Sequence, residues 1–404
     1  MNKKNWDIIV VGGGIAGLTI TSILSKLKKK VLCIEMDMPS TNDQNPKADM
    51  RSTAYLLKSI EVFKQAKVWD ELESYGQELK VMSIAEASSL AGEIRQISNF
   101  NSSELNLPNF GYNIPNWRTK RILIADIKKS NYSKILFGLR VTDLIVQIDK
   151  SVVTLSNDIK ISAKLVIAAD GKNSPIRDLC GIKIKKSDSG QDAIAFVTAH
   201  SKPHKGKSIE IFESGGPCTL VPIKSNENNL FQSAVVWMET RDKSKKLMML
   251  DEKEFSKRLS ERTKYTLGNC QLSSRRTLYP IVTQLAENFY GDRVALIAES
   301  AHVMPPIGAQ GLNTSFEDID LLVKLLNQAI EIKADFGSQS LLKEYSKIRR
   351  KVVRTRMIGI ELLNKTSMSN LQIIKDLRSV SLKIIDESSL LKKFLMKTGL
   401  GKFN

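Results

Sequence analysis

Four cysteines in 404 residues, Cys33, Cys180, Cys218 and Cys270, form no Cys-x-x-Cys pair, and only His200, His204 and His302 could join them around a metal. So few thiols and imidazoles, so scattered, predict no metal site and no disulfide framework, and fit a reduced, cytoplasmic chain. Aromatic residues are only 6% of the sequence and are not interleaved with the basic runs. That argues against stacking on nucleic acid. Long apolar runs are also missing. Only Ile8 to Leu24 approaches the roughly 18 uncharged residues of a membrane span. Together with the lysines before it, this stretch superficially matches a secretory signal. Gly12, Gly13, Gly14 and Gly17 interrupt it, however, and no small-x-small cleavage site follows.

What the chain has in excess is positive charge: 61 Lys+Arg against 43 Asp+Glu, a net +18, with 44 lysines to 17 arginines. A lysine-favouring composition would produce this without any partner. The excess is uneven, because residues 338–404 carry 15 basic and 5 acidic side chains and so supply +10 of it. Within that stretch Leu390-Leu391-Lys392-Lys393-Phe394-Leu395-Met396-Lys397 mixes apolar bulk with clustered lysine. Such a helix suits an anionic membrane surface or a protein partner, and it equally suits packing on its own domain with lysines outward. With 42% hydrophobic residues, the length allows two to three domains and a substantial core.

The first thirty-five residues read as strand, turn, helix, strand. Trp6 to Val11 is apolar and rich in β-branched residues, Gly12-Gly13-Gly14-Ile15-Ala16-Gly17 follows, and after an amphipathic stretch Val31 to Glu35 forms a second run. Gly12 permits the tight turn, Gly14 lets backbone approach a pyrophosphate, and Gly17 lets the helix pack closely on the strand. The free N–H groups opening the helix, at Ile15 and Ala16, then face phosphate. Glu35 ends the second strand, where an acid accepts hydrogen bonds from an adenosine ribose and disfavours a 2′-phosphate. The pattern predicts a bound dinucleotide and leaves FAD and NAD open.

Two later segments have the same character. Lys164 to Asp170 is a buried-type strand ending in Asp170-Gly171, which sets a carboxylate at the ligand edge of an open sheet. Asp292 to His302 delivers Glu299, and then Pro305-Pro306 and Gly308 to Gly311 open a helix expected from Leu312 to about Ile330. The N–H groups of Gly311, Leu312 and Asn313 would form an anion site at its positive end.

On these residues the chain resembles the class A flavoprotein monooxygenases, which include para-hydroxybenzoate hydroxylase and the ubiquinone-biosynthesis hydroxylases. Gly12 to Gly17 with Glu35 matches the family's ADP-binding motif, Asp170-Gly171 its Asp-Gly motif, and Glu299 to Asn313 its flavin-ribityl motif. Asp49-Met50-Arg51-Ser52-Thr53-Ala54 resembles the segment whose arginine reaches the cofactor. In one place the chain departs from the pattern: the usual Gly-Asp pair is Ala298-Glu299, so the expected carboxylate is one methylene longer.

The resemblance implies an α/β fold, a Rossmann-type FAD-binding domain with an inserted antiparallel β-sheet substrate domain and a helical C-terminus. Residues 1–74, 107–181 and 275–337 would form the first, 75–106 and 182–274 the second, and 338–404 the third. Runs such as Ala193 to Thr198, Ser208 to Phe212, Thr219 to Ile223 and Phe231 to Trp237 alternate as antiparallel strands should. Val221, Pro222, Val235 and Trp237, with Pro306, are candidate substrate-pocket residues, although apolar strand residues are more often plain core. The implied chemistry is hydroxylation of a polyprenylated phenol in ubiquinone biosynthesis, with NAD(P)H reducing FAD and O2 reacting to a flavin C4a-hydroperoxide. NAD(P)H would bind transiently, and no side chain is assigned a catalytic role. The resemblance assigns His302 mainly to organising the flavin turn. A hydroxylase of a soluble aromatic compound, an epoxidase and a flavin reductase or dehydrogenase share the pattern. A basic binding module that retains flavin only structurally is the reading from another class. The expected location is the cytoplasm, and a lipid substrate would hold the enzyme peripherally on the inner face of the membrane.

Overall fold

The computed structural model describes residues 6–40, 42, 45, 48–87, 93–213, 215–225, 230–369 and 371–401. The expected first and third domains therefore extend, at 1–5 and 402–404, outside the described residues. Five parallel strands form the centre of the first sheet, in the order Val294–Leu296, Lys160–Ala168, Trp6–Val11, Val31–Glu35 and Ser133–Phe137. Ile8, Ile9, Val10, Leu165, Val166 and Ile167 are fully buried. Continuous apolar runs of this kind belong to strands covered on both faces. The helix Ile15–Lys26 packs against Asn116–Lys129, with Ser22 and Lys26 both bonded to Asp126. The Tyr290–Gly291, Ser151–Leu155 and Val141–Val146 strands extend this sheet by antiparallel pairing.

A nine-stranded second sheet is built mainly from Val81–Ala87, Ile94–Asn101, Ile184–His200, Lys207–Glu213, Gly216–Ile223, Gln232–Thr240 and Thr277–Ala286. It is antiparallel except where Lys207–Glu213 runs parallel to Val81–Ala87, which brings the early hairpin to the sheet's edge. Between 182 and 274 the chain contributes helices as well as the antiparallel strands. Arg241–Met249 and Glu252–Arg262 are helices, the second started by Asp251, whose side chain accepts from the Glu254 N–H at 2.8 Å. Phe255 and Leu259, four apart, bury one helical face against Phe196 and Trp237.

The other face of this sheet meets the C-terminal helices. In Gln339–Met368 the buried residues Leu342, Tyr345, Arg349, Val353, Met357, Ile360 and Asn364 recur at three- and four-residue spacing. One side of that helix thus follows the molecule from the first sheet to the second. Gln372–Glu387 and Ser389–Gly399 come next, and Met396 and Leu400 pack with Phe100 and Phe110.

Candidate functional site

The site begins where the first strand turns. Gly12 sits at φ +107°, and a Cβ there would lie 2.2 Å from the Ala169 carbonyl oxygen. A Cβ on Gly17 would lie 1.9 Å from the Gly12 carbonyl, so both positions admit only glycine. At Gly14 a Cβ would meet nothing within 4 Å. This open side is the mouth of a cradle, because Gly14 precedes the helix and no side chain caps its N–H groups. Gly14, Ile15 and Ala16 line a large cavity. Glu35, at the end of its strand, accepts hydrogen bonds from the Gly13 N–H and, at 2.9 Å, from the Asp37 N–H.

Across the cradle, Asp170 follows the Lys160–Ala168 strand. Its Oδ2 accepts the Ile176 N–H at 3.1 Å, while its Oδ1 is buried without a partner among the described residues. Burial pushes this carboxyl above the ordinary aspartate range. Ala169, Gly171 and Lys172 border the cavity on either side of it. An orphaned buried acceptor, an uncapped helix start and an open glycine turn fit the hydroxyl and phosphate groups of a dinucleotide.

Glu299 stands exposed in the cavity from the short turn Ala298–Ser300. Ala298 adopts φ +57°, a left-handed conformation that glycine would hold without strain. The turn is fixed from behind: the Ala298 N–H donates to Asp318 at 3.0 Å, and Ser300 Oγ donates to the Ala168 carbonyl at 2.8 Å. His302 is buried with Nε2 2.7 Å from Asp318, and Arg349 Nε bonds the same carboxylate at 2.8 Å. Burial alone would raise the Asp318 pKa, but the His302 and Arg349 partners hold it below the usual range. Through Nε2 His302 thus anchors the turn, and the residue also borders the cavity.

The next helix runs Gln310–Glu331, with Gly308, Gly311 and Leu312 lining the cavity beside Pro306. Asn313, whose N–H is expected among the anion-site donors, follows in the same helix. Its side chain is outside the lining and clamps another segment, accepting from the Leu56 N–H and Ser59 hydroxyl and donating to the Ala54 carbonyl. An amide offers both donors and acceptors, so one side chain can secure an edge strand and a helix start together. Just upstream of that strand, Arg51 is bidentate to Asp49 at 2.8 and 2.9 Å. It also lies 4.7 Å from the centre of the Tyr279 ring, at the cavity wall.

Beyond the flavin motifs the cavity continues beneath the second sheet and the C-terminal helices. Val221 faces it with Thr219, Val236 and Ala195. Trp237 does not: together with Val235, Cys218 and Ile194 it packs toward Phe255 on the opposite face. Val235 borders the cavity only from that opposite row, and Pro222 is outside the lining, its carbonyl accepting from Asn113 Nδ2 at 2.8 Å. A strand's two-residue period makes Val221 and Pro222 exclusive alternatives, and the sequence does not say which phase faces the ligand. Two carboxylates that the sequence reading missed, Glu86 and Glu210, also line the cavity. Each is an acid between two apolar neighbours in a strand, in Ala85-Glu86-Ala87 and Ile209-Glu210-Ile211, which is the signal that could have found them. His200 and His204, four apart, form no ligand pair: both ring nitrogens of His200 are engaged, by the Lys202 carbonyl and the Ser233 hydroxyl.

A family model described as an FAD binding domain matches residues 5–358. The chain belongs to that FAD binding family. A ubiquinone hydroxylase of Rhodospirillum rubrum is 25% identical over 98% of this chain and 89% of its own length. The 3-demethoxyubiquinol 3-hydroxylase of Escherichia coli is 23% identical over 99% of this chain and all of its own. Among solved structures, p-nitrophenol 4-monooxygenase from Pseudomonas putida superposes with a TM-score of 0.79 at 18% identity, covering 98% of both chains. This last likeness speaks for the fold.

Proposed function

We propose that this chain is an FAD-dependent monooxygenase that uses NAD(P)H and O2 to hydroxylate the ring of a prenylated phenol in ubiquinone biosynthesis. The observation that carries the proposal is one continuous cavity of about 2060 Å³. It joins the glycine cradle to an apolar chamber walled by Phe100, Phe110, Leu382, Met396 and Leu400. A drug-sized ligand needs roughly 300 to 1,000 Å³, so there is room for a dinucleotide and a second, greasy molecule. The names of the two full-length relatives point to the same substrate class.

In this reading Gly12, Gly14 and Gly17 shape the pyrophosphate turn, and Ile15 and Ala16 offer it their N–H groups. Glu35 takes the adenosine ribose. Asp170 and Glu299 receive hydroxyls of the flavin side chain, with the unpartnered Asp170 Oδ1 as the first acceptor. Bound FAD supplies hydride acceptance from NAD(P)H and activation of O2. The protein's own part is to stabilise negative charge with the Gly311 and Leu312 N–H groups, to position Arg51 at the wall, and to exclude water from the chamber.

The basic C-terminal helices would meet an anionic bilayer. Ile373, Leu390 and Phe394 are 69%, 84% and 61% exposed amid the lysine excess. No helix among the described residues is long and apolar enough to cross a membrane, so this contact would be peripheral.

Purified protein loaded with FAD is expected to oxidise NAD(P)H only when a prenylated phenol is present, with one product molecule hydroxylated per O2 consumed. NAD(P)H oxidation without product would favour a flavin reductase. Leu390→Ser with Phe394→Ser should reduce co-sedimentation with phosphatidylglycerol vesicles, and unchanged binding would remove the membrane contact.

A further inference from the structure

Two acids stand on neighbouring strands at the substrate end of the cavity, and the protein treats them differently. Strand register pairs Glu210 with Ile84 and Phe212 with Glu86, so the two acids sit two residues apart on the same face. Glu86 is matched: Arg378, from Gln372–Glu387, holds it with Nε at 2.8 Å and a second nitrogen at 2.6 Å. Glu210 is only 5% exposed, and its Oε1 has no hydrogen-bond partner among the described residues. Desolvation, with no neighbouring charge to offset it, pushes its carboxyl up to about 7.

Among the described residues no group donates to its Oε1. Across the ladder stand Thr219 on one side and Ile84 on the other. Ser208 and Phe212 flank it on its own strand. Of the charged groups on the elements packed around it, Glu86 and Arg378 are engaged with each other and Arg356 of Gln339–Met368 with Glu317, while Lys347 and Lys351 of that same helix also line the cavity. At the far end of the cavity Arg51 is held by Asp49. Other buried acids in the molecule have donors: Asp318 has His302 and Arg349, and Asp192 has the Ser244 hydroxyl at 2.8 Å. An unpartnered buried carboxyl is costly to the fold. Its missing donor is therefore to be sought in the ligand.

Resting on the phenol-hydroxylase reading, we propose that Glu210 binds the phenolic hydroxyl of the ring substrate and takes its proton as the ring is attacked. The phenol O–H bond breaks with its electron pair left on oxygen, and an O–H bond forms on the Glu210 carboxylate. Nothing is oxidised or reduced in this transfer. The charge on oxygen raises the nucleophilicity of the ring carbons ortho and para to it. After oxygen insertion the ring sheds its own hydrogen as a proton to water, and Glu210 returns its proton to the phenolic oxygen.

The test uses the FAD-loaded enzyme, with 2-geranylphenol and its methyl ether as probes and flavin fluorescence quenching as the binding readout. At pH 8, where Glu210 is ionised, the wild type should bind the phenol at least about tenfold more tightly than the ether, the gain expected of a hydrogen bond to a charged group. That preference should fade as pH falls below 7 and the carboxyl is protonated. Glu210→Gln preserves volume and should reduce the preference to about twofold or less at every pH, leaving ether binding unchanged. It should also lower kcat by about a hundredfold or more and remove its acid limb. Glu210→Asp should restore the limb with weaker binding, which loss of packing would not do. A Glu210→Gln enzyme that keeps both phenol preference and acid limb overturns the assignment alone. A wild type that hydroxylates no prenylated phenol overturns the parent reading instead.

Discussion

The two ends of the cavity are specified by different means. At the cofactor end, backbone decides: Gly12 and Gly17 are excluded volumes for any Cβ, and the turn bearing Glu299 is bolted to Asp318 from behind. At the substrate end side chains decide, through one matched acid, one unmatched acid and a wall of apolar residues contributed by helices far along the chain. A ligand shared across a family can be held by conserved conformations of the main chain, whereas selectivity must reside in groups that differ in phase, length and charge. The contrast teaches that rigidity and discrimination are separable within a single cavity.

Substitutions can probe each end in turn. Asp318→Asn should act hardest, because it removes the carboxylate shared by His302, Arg349 and the Ala298 N–H and leaves Glu317 alone to offset the buried Arg349; a loss of about 3–5 kcal/mol in thermal unfolding is expected, accompanied by flavin release. At the other end Arg378→Ala strands the buried Glu86 and should cost about 3 kcal/mol. Flavin absorbance should persist in that variant while KM for a prenylated phenol rises. If flavin is lost equally in both variants, the two ends are not independent. Glu210→Gln should instead stabilise, with a sign fixed by linkage. A carboxyl whose folded pKa is raised contributes stability that is complete below its unfolded value near 4.5 and is lost as pH rises through about 7. The variant should therefore unfold like wild type at pH 4 and be more stable by about 3 kcal/mol at pH 8, as read by calorimetry. The smallest effect belongs to Ala298→Gly, which relieves a left-handed alanine and should add about 0.5–1 kcal/mol at the cofactor end without changing substrate binding.

Legibility in the sequence follows the same division. Gly12, Gly14, Gly17, Asp170 and Glu299 could be read because a turn, a close approach and a strand end each demand particular residue types at fixed spacing. Arg51 was legible through its neighbours from Asp49 to Ala54. Val221 and Pro222 were not separable, since alternation marks two faces without saying which one a helix covers. Trp237 lies against Phe255, a contact invisible until residues 252–262 are known to form a helix. Asn313 sat in the right motif, but its side chain serves strand Ser52–Leu56, some 250 positions away in sequence. Glu86 and Glu210 left a trace, each being an acid amid apolar strand residues. Burial was needed to tell a solvated edge from an isolated charge.

Strand order in the first sheet has a consequence for how the protein comes into being. The earliest strand, Trp6–Val11, lies between Val31–Glu35 and Lys160–Ala168, and the latter's other edge takes Ser151–Leu155 and then Val294–Leu296. During synthesis the glycine turn would thus wait with one side open while well over a hundred further residues are made, and Asp170 would wait again for the turn carrying Glu299. Contacts so distant in sequence form slowly and leave apolar strand edges exposed in the interval. Growing chains are therefore expected to depend on ribosome-associated chaperones, and nascent chains arrested short of residue 300 to retain no flavin.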